Sequence, residues 1–290
     1  MPQQSLDLSE IRRIAIAALF SDDVLTEHLV LKGGNALNLV YGITSRSSVD
    51  LDFAMSRDFE DSKDASRRVF AALRDRFDAA GYIVFDESFE PRPDLEGKGP
   101  DEKPWWGGYE VSFKLIDRRK FHSMKSDPKK LRNHALGLGS GAKRPFKIDL
   151  SKCEYTIGKA AHELDIFTIY VYTPEMIAVE KLRAICQQMH EYPHTGNKKA
   201  RARDFYDIYR VLTTRNIDLQ AETNRILLRN IFGAKQVPVS LLGNLPRERD
   251  FHRADWHSVI TTTAGELHDF DFYFDFVLDE IAGLKSLWIE

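Results

Sequence analysis

The first half of the chain alternates short apolar runs with stretches of helical period, whereas the second half is helical almost throughout. This pattern predicts an α/β (α+β) domain with a mixed sheet, followed by a mainly helical C-terminal domain. Ser9 to Leu19 predict a first helix, with Ser9 as N-cap and Ile11, Ile14, Ala15, Ala18 and Leu19 on one face. Leu29, Val30 and Leu31 predict a strand that meets the Gly33–Gly34 pair. A helical stretch carrying Ala36, Leu37 and Val40 follows and closes at Gly42. From Val49 to Phe53, apolar and acidic residues alternate. A strand there turns Val49, Leu51 and Phe53 to a core, and Asp50 and Asp52 together to the other face. A long helix is predicted from about Asp61 to Ala80, through Val69, Phe70, Leu73 and Phe77, with Gly81 closing it. Further strands are predicted at Tyr82–Phe85, Tyr109–Ile116, Phe146–Leu150 and Ile166–Tyr172.

Thr173-Pro174-Glu175 has a cap, a first-turn proline and an acid in sequence, a strong helix start. That helix turns Met176, Ala178, Leu182, Ile185 and Met189 inward, with Glu180 and Lys181 at the border of the stripe. After a basic linker, a second helix buries Phe205, Ile208, Tyr209 and Leu212 and carries Asp204 and Asp207 one turn apart. Helical patterns recur at Leu219–Ile231, Trp256–Thr262 and Phe270–Leu287, with a Pro/Gly-broken turn from Val237 to Pro246. The domain boundary falls near the Thr-Pro-Glu start, dividing the chain into residues 1–165 and 166–290.

Composition narrows the function classes. A hydrophobic fraction of 43% and a charged fraction of 29% over 290 residues suit a folded chain of two modest domains or one large one. The net charge of −3 recruits no nucleic acid globally, so any RNA contact is a local patch. Two cysteines, Cys153 and Cys186, are too few for a disulfide framework and fit a reducing cytosol. No apolar run approaches the ~20 residues of a membrane span, and the polar start of the chain predicts no secretory leader. Local patches exist. RRKFHSMKSDPKK, residues 118–130, is basic with interleaved Phe121 and His122, and reads as a solvated face or as phosphate contact. Residues 89–107 predict a loop or hairpin tip, where Trp105 and Trp106 read as a hydrophobic plug or, alternatively, a base-stacking pair.

Candidate chemistry lies between Leu31 and Phe53. Glycines without a Cβ let backbone N–H groups approach phosphate, and a helix N-terminus favours the same charge. Asp50 and Asp52, side by side on a strand, repel unless a cation such as magnesium lies between them. With 44 acids in 290 residues, an acid-x-acid triplet arises by chance roughly seven times, so the glycine pair is what gives this one meaning. A tight strand–helix turn followed by an edge strand with solvated acids accounts for the same residues. Asp149 between Ile148 and Leu150, with Lys147 two before it, offers a third carboxylate of the kind that two-metal transfer sites use.

The longer motif, with Lys32, Gly33, Gly34, Ala36 and Leu37 followed by Arg46-x-Ser48-x-Asp50-x-Asp52, resembles the AbiEii/AbiGii toxin family. The resemblance extends through the Lys147-x-Asp149 strand, Glu180-Lys181 and Arg203-Asp204-x-x-Asp207. The extended basic linker from His194 to Arg201 is a departure. The resemblance implies a nucleotidyltransferase-fold toxin of a bacterial type IV toxin–antitoxin or abortive-infection system, acting in the cytoplasm with a cognate antitoxin. It implies magnesium on Asp50, Asp52 and Asp149, and a nucleoside triphosphate held by Gly33, Gly34, Arg46, Ser48 and Lys181. Catalysis is assigned to Asp50, Asp52, Asp149, Lys181 and Asp204, with Asp204 holding the lysine or helping to bind the nucleotide. The implied acceptor is the 3′ end of tRNA. Two other readings are a nucleotide- or RNA-binding protein without catalysis and an enzyme that transfers a nucleotide to a protein hydroxyl.

Overall fold

The computed structural model describes residues 6–44, 50–92, 106–137, 144–263 and 265–288. Two compact units divide it: Met1–Gly33 with Ser48–Val171, and Gly34–Ser47 with Tyr172–Glu290. The first unit holds one mixed seven-stranded sheet. Its strands are β1 (Val30–Lys32), β2 (Leu51–Ala54), β3 (Tyr82–Arg92), β4 (Gly108–Asp117), β5 (Phe146–Ser151), β6 (Ala160–Leu164) and β7 (Phe167–Val171), in the order β3-β4-β5-β2-β1-β7-β6. β2 runs parallel to β5 and β1 parallel to β7, and the remaining neighbours are antiparallel.

One face of this sheet is apolar. Leu51 and Phe53 of β2, Phe146, Ile148 and Leu150 of β5, and Val111, Phe113 and Leu115 of β4 are buried on it. Helix α1 (Leu8–Leu19) packs against α4 (Ser62–Ala79), with the short α2 (Asp23–His28) between them in the chain. Phe77 of α4 reaches Phe113, with ring centroids 5.7 Å apart, and Phe20, just past α1, lies 6.1 Å from Phe53. Two caps define the helix starts. Asp7, not Ser9, caps α1, because its extended backbone lets its carboxylate accept the Glu10 N–H at 2.8 Å. Asp61 caps α4 by accepting from Lys63 and Asp64.

The glycine pair opens a short turn, α3 (Gly33–Asn35), that continues as a π-helical stretch, Ala36–Val40. β3 is longer than its alternation predicts. Asp86 takes a left-handed backbone (φ 50°) where the β3–β4 register shifts, which breaks the period of two, and pairing resumes at Ser88. The strand predicted at Ile166–Tyr172 is β7, the second arm of a hairpin with β6, which the sequence pattern does not predict; the tip at Asp165 has φ 57° and Ile166 is exposed there. The basic run forms α5 (Arg118–Met124) and α6 (Pro128–Asn133). Trp106 is partly exposed, and Trp105 lies outside the described residues.

The second unit is helical: α7 (Pro174–Cys186), α8 (Ala202–Arg215), α9 (Glu222–Ala234), α10 (Arg249–Arg253), α11 (Trp256–Ile260) and α12 (Phe270–Ala282). Thr173 caps α7 and Pro174 opens it, as predicted. α7 packs on α8 and α9, and α12 packs on α8 through the stacked rings of Phe205 and Phe274. No described helix is long and apolar enough to cross a membrane. Asp61→Ala loses two acceptor contacts at the start of α4 and is expected to lower stability by about 1 kcal/mol in urea denaturation.

Candidate active site

Register assembles the polar face of the sheet. Side chains directly opposite one another on neighbouring strands share a face. Lys32 is the register partner of Asp52, Asp52 of Asp149, Asp149 of Glu110, and Glu110 of Glu90. Five strands therefore contribute one cation and four acids in a single row. Asp50 stands at the bend just before β2, within electrostatic reach of Asp149. Gly33 sits against this row with φ +71°; a Cβ built there would fall 2.9 Å from the Asp52 Oδ2. Glycine is required at that point both by its backbone and by the closeness of the carboxylate.

The electrostatics reflect the crowding. Burial, reinforced by Glu110 and Asp50, pushes the Asp149 carboxyl above its usual range. Asp50 is likewise raised by burial and by Glu110, against the pull of Lys147 and Arg12. Glu110 differs: burial would raise it, but Lys147 at 2.8 Å and Arg92 at 2.7 Å hold it low. Among the described residues, no group of three or more His, Cys, Asp or Glu forms a ready-made metal cage. Magnesium seldom uses one, because it keeps several waters and binds through one or two carboxylates plus substrate phosphates. The oxygen donors of Asp50, Asp52 and Asp149, two of them raised in pKa chiefly by burial, suit that mode.

At the foot of the row lies a buried ion pair. The Lys32 Nζ donates to the Glu154 Oε1 at 3.1 Å, with side chains 9% and 3% exposed. Glu154 also ties two strand ends together: its N–H donates to the Met55 carbonyl, and the Met55 N–H donates to the Ser151 carbonyl. The pair thus anchors the ends of β2 and β5, the two strands that carry Asp52 and Asp149.

In the second unit, Lys181 lies fully inside the helices and not at the border of the stripe. Its Nζ reaches the Asp204 Oδ1 and the Asp207 Oδ2, each at 2.8 Å. Burial alone would lower the lysine's pKa, but the two carboxylates outweigh it and raise it. Asp204 is held well below the carboxylate range, Arg201 and Lys181 overcoming its burial. Beside them, the His252 Nδ1 accepts the Arg201 backbone N–H at 3.1 Å, and burial pushes the imidazole down to about 4. Asp204 opposes that fall and Arg201 adds to it.

Of the residues singled out in the sequence, Asp50, Asp52, Asp149 and Gly33 come together in the first unit, and Lys181 and Asp204 in the second. Gly34 opens the helical turn, whereas Arg46 and Ser48 lie outside the described residues. Glu110, Glu154, Arg201 and His252 were missed. For Glu110 a signal existed, an acid in the alternating run Tyr109-Glu110-Val111; its pairing with Asp149 is a matter of register that no local pattern carries. Nothing in the sequence marks Glu154 or His252.

A mixed sheet that sets carboxylates in a row beside a glycine turn suits phosphate and the cation that accompanies it. The chain belongs to the nucleotidyl transferase AbiEii toxin family of type IV toxin–antitoxin systems, whose family model matches residues 14–276. Membership makes it a nucleotidyltransferase toxin with a nucleotide substrate and an antitoxin partner. No curated protein matches the chain. Among solved structures, it is similar to a putative nucleotidyltransferase from H. pylori at 19% identity and a TM-score of 0.48, over 99% of this chain and 97% of that one. It is similar to JHP933 from Helicobacter pylori at 18% identity and a TM-score of 0.47, over 98% and 95%. It also resembles an antigenic nucleotidyltransferase-like protein from Paracoccidioides brasiliensis at 12% identity and a TM-score of 0.39, over 88% and 94%.

Two expected outcomes follow from these clusters. Glu154→Ala removes the carboxylate that accepts from the buried Lys32 ammonium and is expected to lower stability by about 3 kcal/mol in denaturant unfolding. His252 takes up a proton near pH 6.5 when unfolded but only near 4 when folded, so it stabilises the fold above 6.5. That contribution, on the order of 3 kcal/mol, is lost as pH falls from about 6.5 to about 4. His252→Phe keeps the ring beside Phe205 and should flatten the stability–pH slope in that window by up to one proton, as read by urea titrations at each pH.

Proposed function

We propose that the protein is a magnesium-dependent nucleotidyltransferase that joins a nucleotide from a nucleoside triphosphate to the 3′ end of tRNA. The observation that carries this reading is the register alignment of Asp52 with Asp149, with Asp50 beside them and Gly33 packed on Asp52. Asp50, Asp52 and Asp149 hold magnesium, which when bound neutralises phosphate charge as the acceptor oxygen attacks and pyrophosphate leaves. Gly33 and Gly34 let the backbone approach the triphosphate, and family resemblance assigns Arg46 and Ser48, outside the described residues, to the same ligand. Family resemblance assigns Lys181 to the nucleotide phosphates, and within the second unit Asp204 and Asp207 hold its ammonium in place.

The acceptor is assigned from family resemblance, and one feature of the chain supports an RNA. α5 and α6 present Arg119, Lys120, Lys125 and Lys129 at exposed positions, a local basic surface on a chain of net charge −3. The cytosol, where tRNA is found, also suits a chain with only two cysteines.

The test is incubation of the pure protein with each labelled nucleoside triphosphate, magnesium and total RNA. Label is expected in RNA of tRNA size; label in protein instead, or binding without transfer, would overturn the acceptor or the activity respectively. Asp52→Asn and Asp149→Asn are each expected to lower the transfer rate on the order of 10²–10³-fold while leaving the fold intact by circular dichroism. Transfer at the parent rate by either variant would remove that residue from the site.

A further inference from the structure

Between Asp117 and His134 the chain sets seven arginines and lysines against two aspartates. Both aspartates are engaged in helix caps. Asp117 accepts from the Arg119 and Lys120 N–H groups at the start of α5, and Asp127 accepts from the Lys130 N–H at the start of α6. Three of the cations are held by acids: Arg118 by Asp78, Lys130 by Asp127 and Arg132 by Asp86. The other four, Arg119, Lys120, Lys125 and Lys129, are exposed, and among the described residues none of them forms an ion pair.

Hydrogen bonds fix where this surface stands. The Arg132 Nε and Nη2 donate to the two Asp86 carboxylate oxygens at 2.6 and 3.0 Å, and the Lys114 Nζ donates to the same carboxylate at 3.2 Å. Lys114 lies on the side of β4 that carries Glu110 and Ser112, opposite the buried Val111, Phe113 and Leu115. Just past α6, the Leu136 N–H donates to the Leu115 carbonyl at 2.7 Å and closes the segment back onto β4. α6 is therefore tied to the sheet face that bears the carboxylate row. Lys114 is four residues from Glu110 of that row, roughly 14 Å along the strand.

The chemistry of the surface selects its occupant. A protein interface is built around an apolar centre with large anchoring side chains. None of the large hydrophobic residues exposed among the described residues lies on α5 or α6; Phe121 and Met124 are half-buried and Leu131 is buried. A nucleic-acid backbone needs only exposed cations in series, because each one that meets a phosphate releases a counterion. Contacts of that kind position a nucleic acid without reading its sequence.

We propose that α5 and α6 form a phosphate-backbone dock for the acceptor RNA, with Arg119, Lys120, Lys125 and Lys129 as its contact residues. The inference rests on the reading of the carboxylate row as a site that transfers a nucleotide to RNA. The dock holds the body of the RNA while the row acts on its end, so the dock sets affinity and leaves the chemical step to the carboxylates.

The experiment measures binding of labelled bulk tRNA across a salt series, without nucleotide, and steady-state transfer of labelled nucleotide to the same tRNA. Arg119→Glu/Lys120→Glu and Lys125→Glu/Lys129→Glu are compared with the parent and with Lys63→Glu/Arg67→Glu, an equal charge change at exposed positions of α4. Each α5–α6 pair is expected to weaken binding about tenfold or more at ~0.1 M salt and to flatten the slope of log affinity against log salt by about two. In transfer, KM for tRNA rises to match, while KM for the nucleoside triphosphate and kcat at saturating tRNA stay within about twofold. The α4 pair is expected to bind as the parent does. Alanine pairs at the same four positions add no charge and are expected to shift binding in the same direction by less, which decides the matter if a glutamate pair fails to fold. Parent-like binding by both α5–α6 pairs overturns the inference, and so does an equal loss in the α4 pair or a parent that binds no tRNA. Displacement of tRNA by polyglutamate as readily as by unlabelled tRNA, at equal charge, marks a site for acidic protein and overturns it too. If the parent transfers label to tRNA and the α5–α6 pairs bind normally, the dock alone has failed. If the pairs bind weakly and the parent transfers nothing to RNA, the dock stands as an RNA site and the transfer reading has failed.

Discussion

Register in the sheet is the constraint on which the rest of the first unit depends. Slipping β2 by one residue against β5 would turn Asp52 into the core and Leu51 and Phe53 out to water. The apolar face, with Phe53, Ile148, Leu150 and Phe113 all buried, forbids that slip. Hydrophobic burial on one side therefore forces acids into line on the other. Burial, with Glu110 adding to it, raises the pKa values of Asp149 and Asp50, whereas Lys147 and Arg92 hold Glu110 low. Such a surface is poised for a cation, and the family's chemistry calls for one.

Each unit also holds buried charge, and the two do so differently. Lys181 is met by two carboxylates, so its ammonium and Asp204 are both kept charged against their burial. Lys32 is met by Glu154, which in turn ties β2 to β5. Buried pairs of this kind add little net stability over an apolar packing, yet breaking one is costly. Both pairs fix the orientation of side chains that an unconstrained surface would leave free to rotate.

Legibility varied with how local each signal was. The α7 start was readable because cap, proline and acid follow one another within three residues, Thr173 to Glu175. Asp149 was readable because alternation within β5 sends it opposite Ile148 and Leu150. β3 was cut short because one left-handed residue, Asp86, shifted the period beyond it. β6 escaped notice because its residues, Ala160 to Leu164, are only half covered and carry no apolar alternation. Lys181 was set at the border of its helix stripe because a lone lysine there is ordinarily solvated; Asp204 and Asp207, more than twenty positions on, are what allow it inside.

By itself the sequence determined the class of fold, the glycine turn, and which acids leave the core, since each follows from the period of a strand or helix over a few residues. Tertiary structure decided which of those acids stand beside one another. It alone brought Glu110 next to Asp149 and Glu154 onto Lys32, because these pairs depend on strand register and packing between segments tens to more than a hundred residues apart. Coulombic interaction depends on distance through space, and a one-dimensional pattern does not encode that distance.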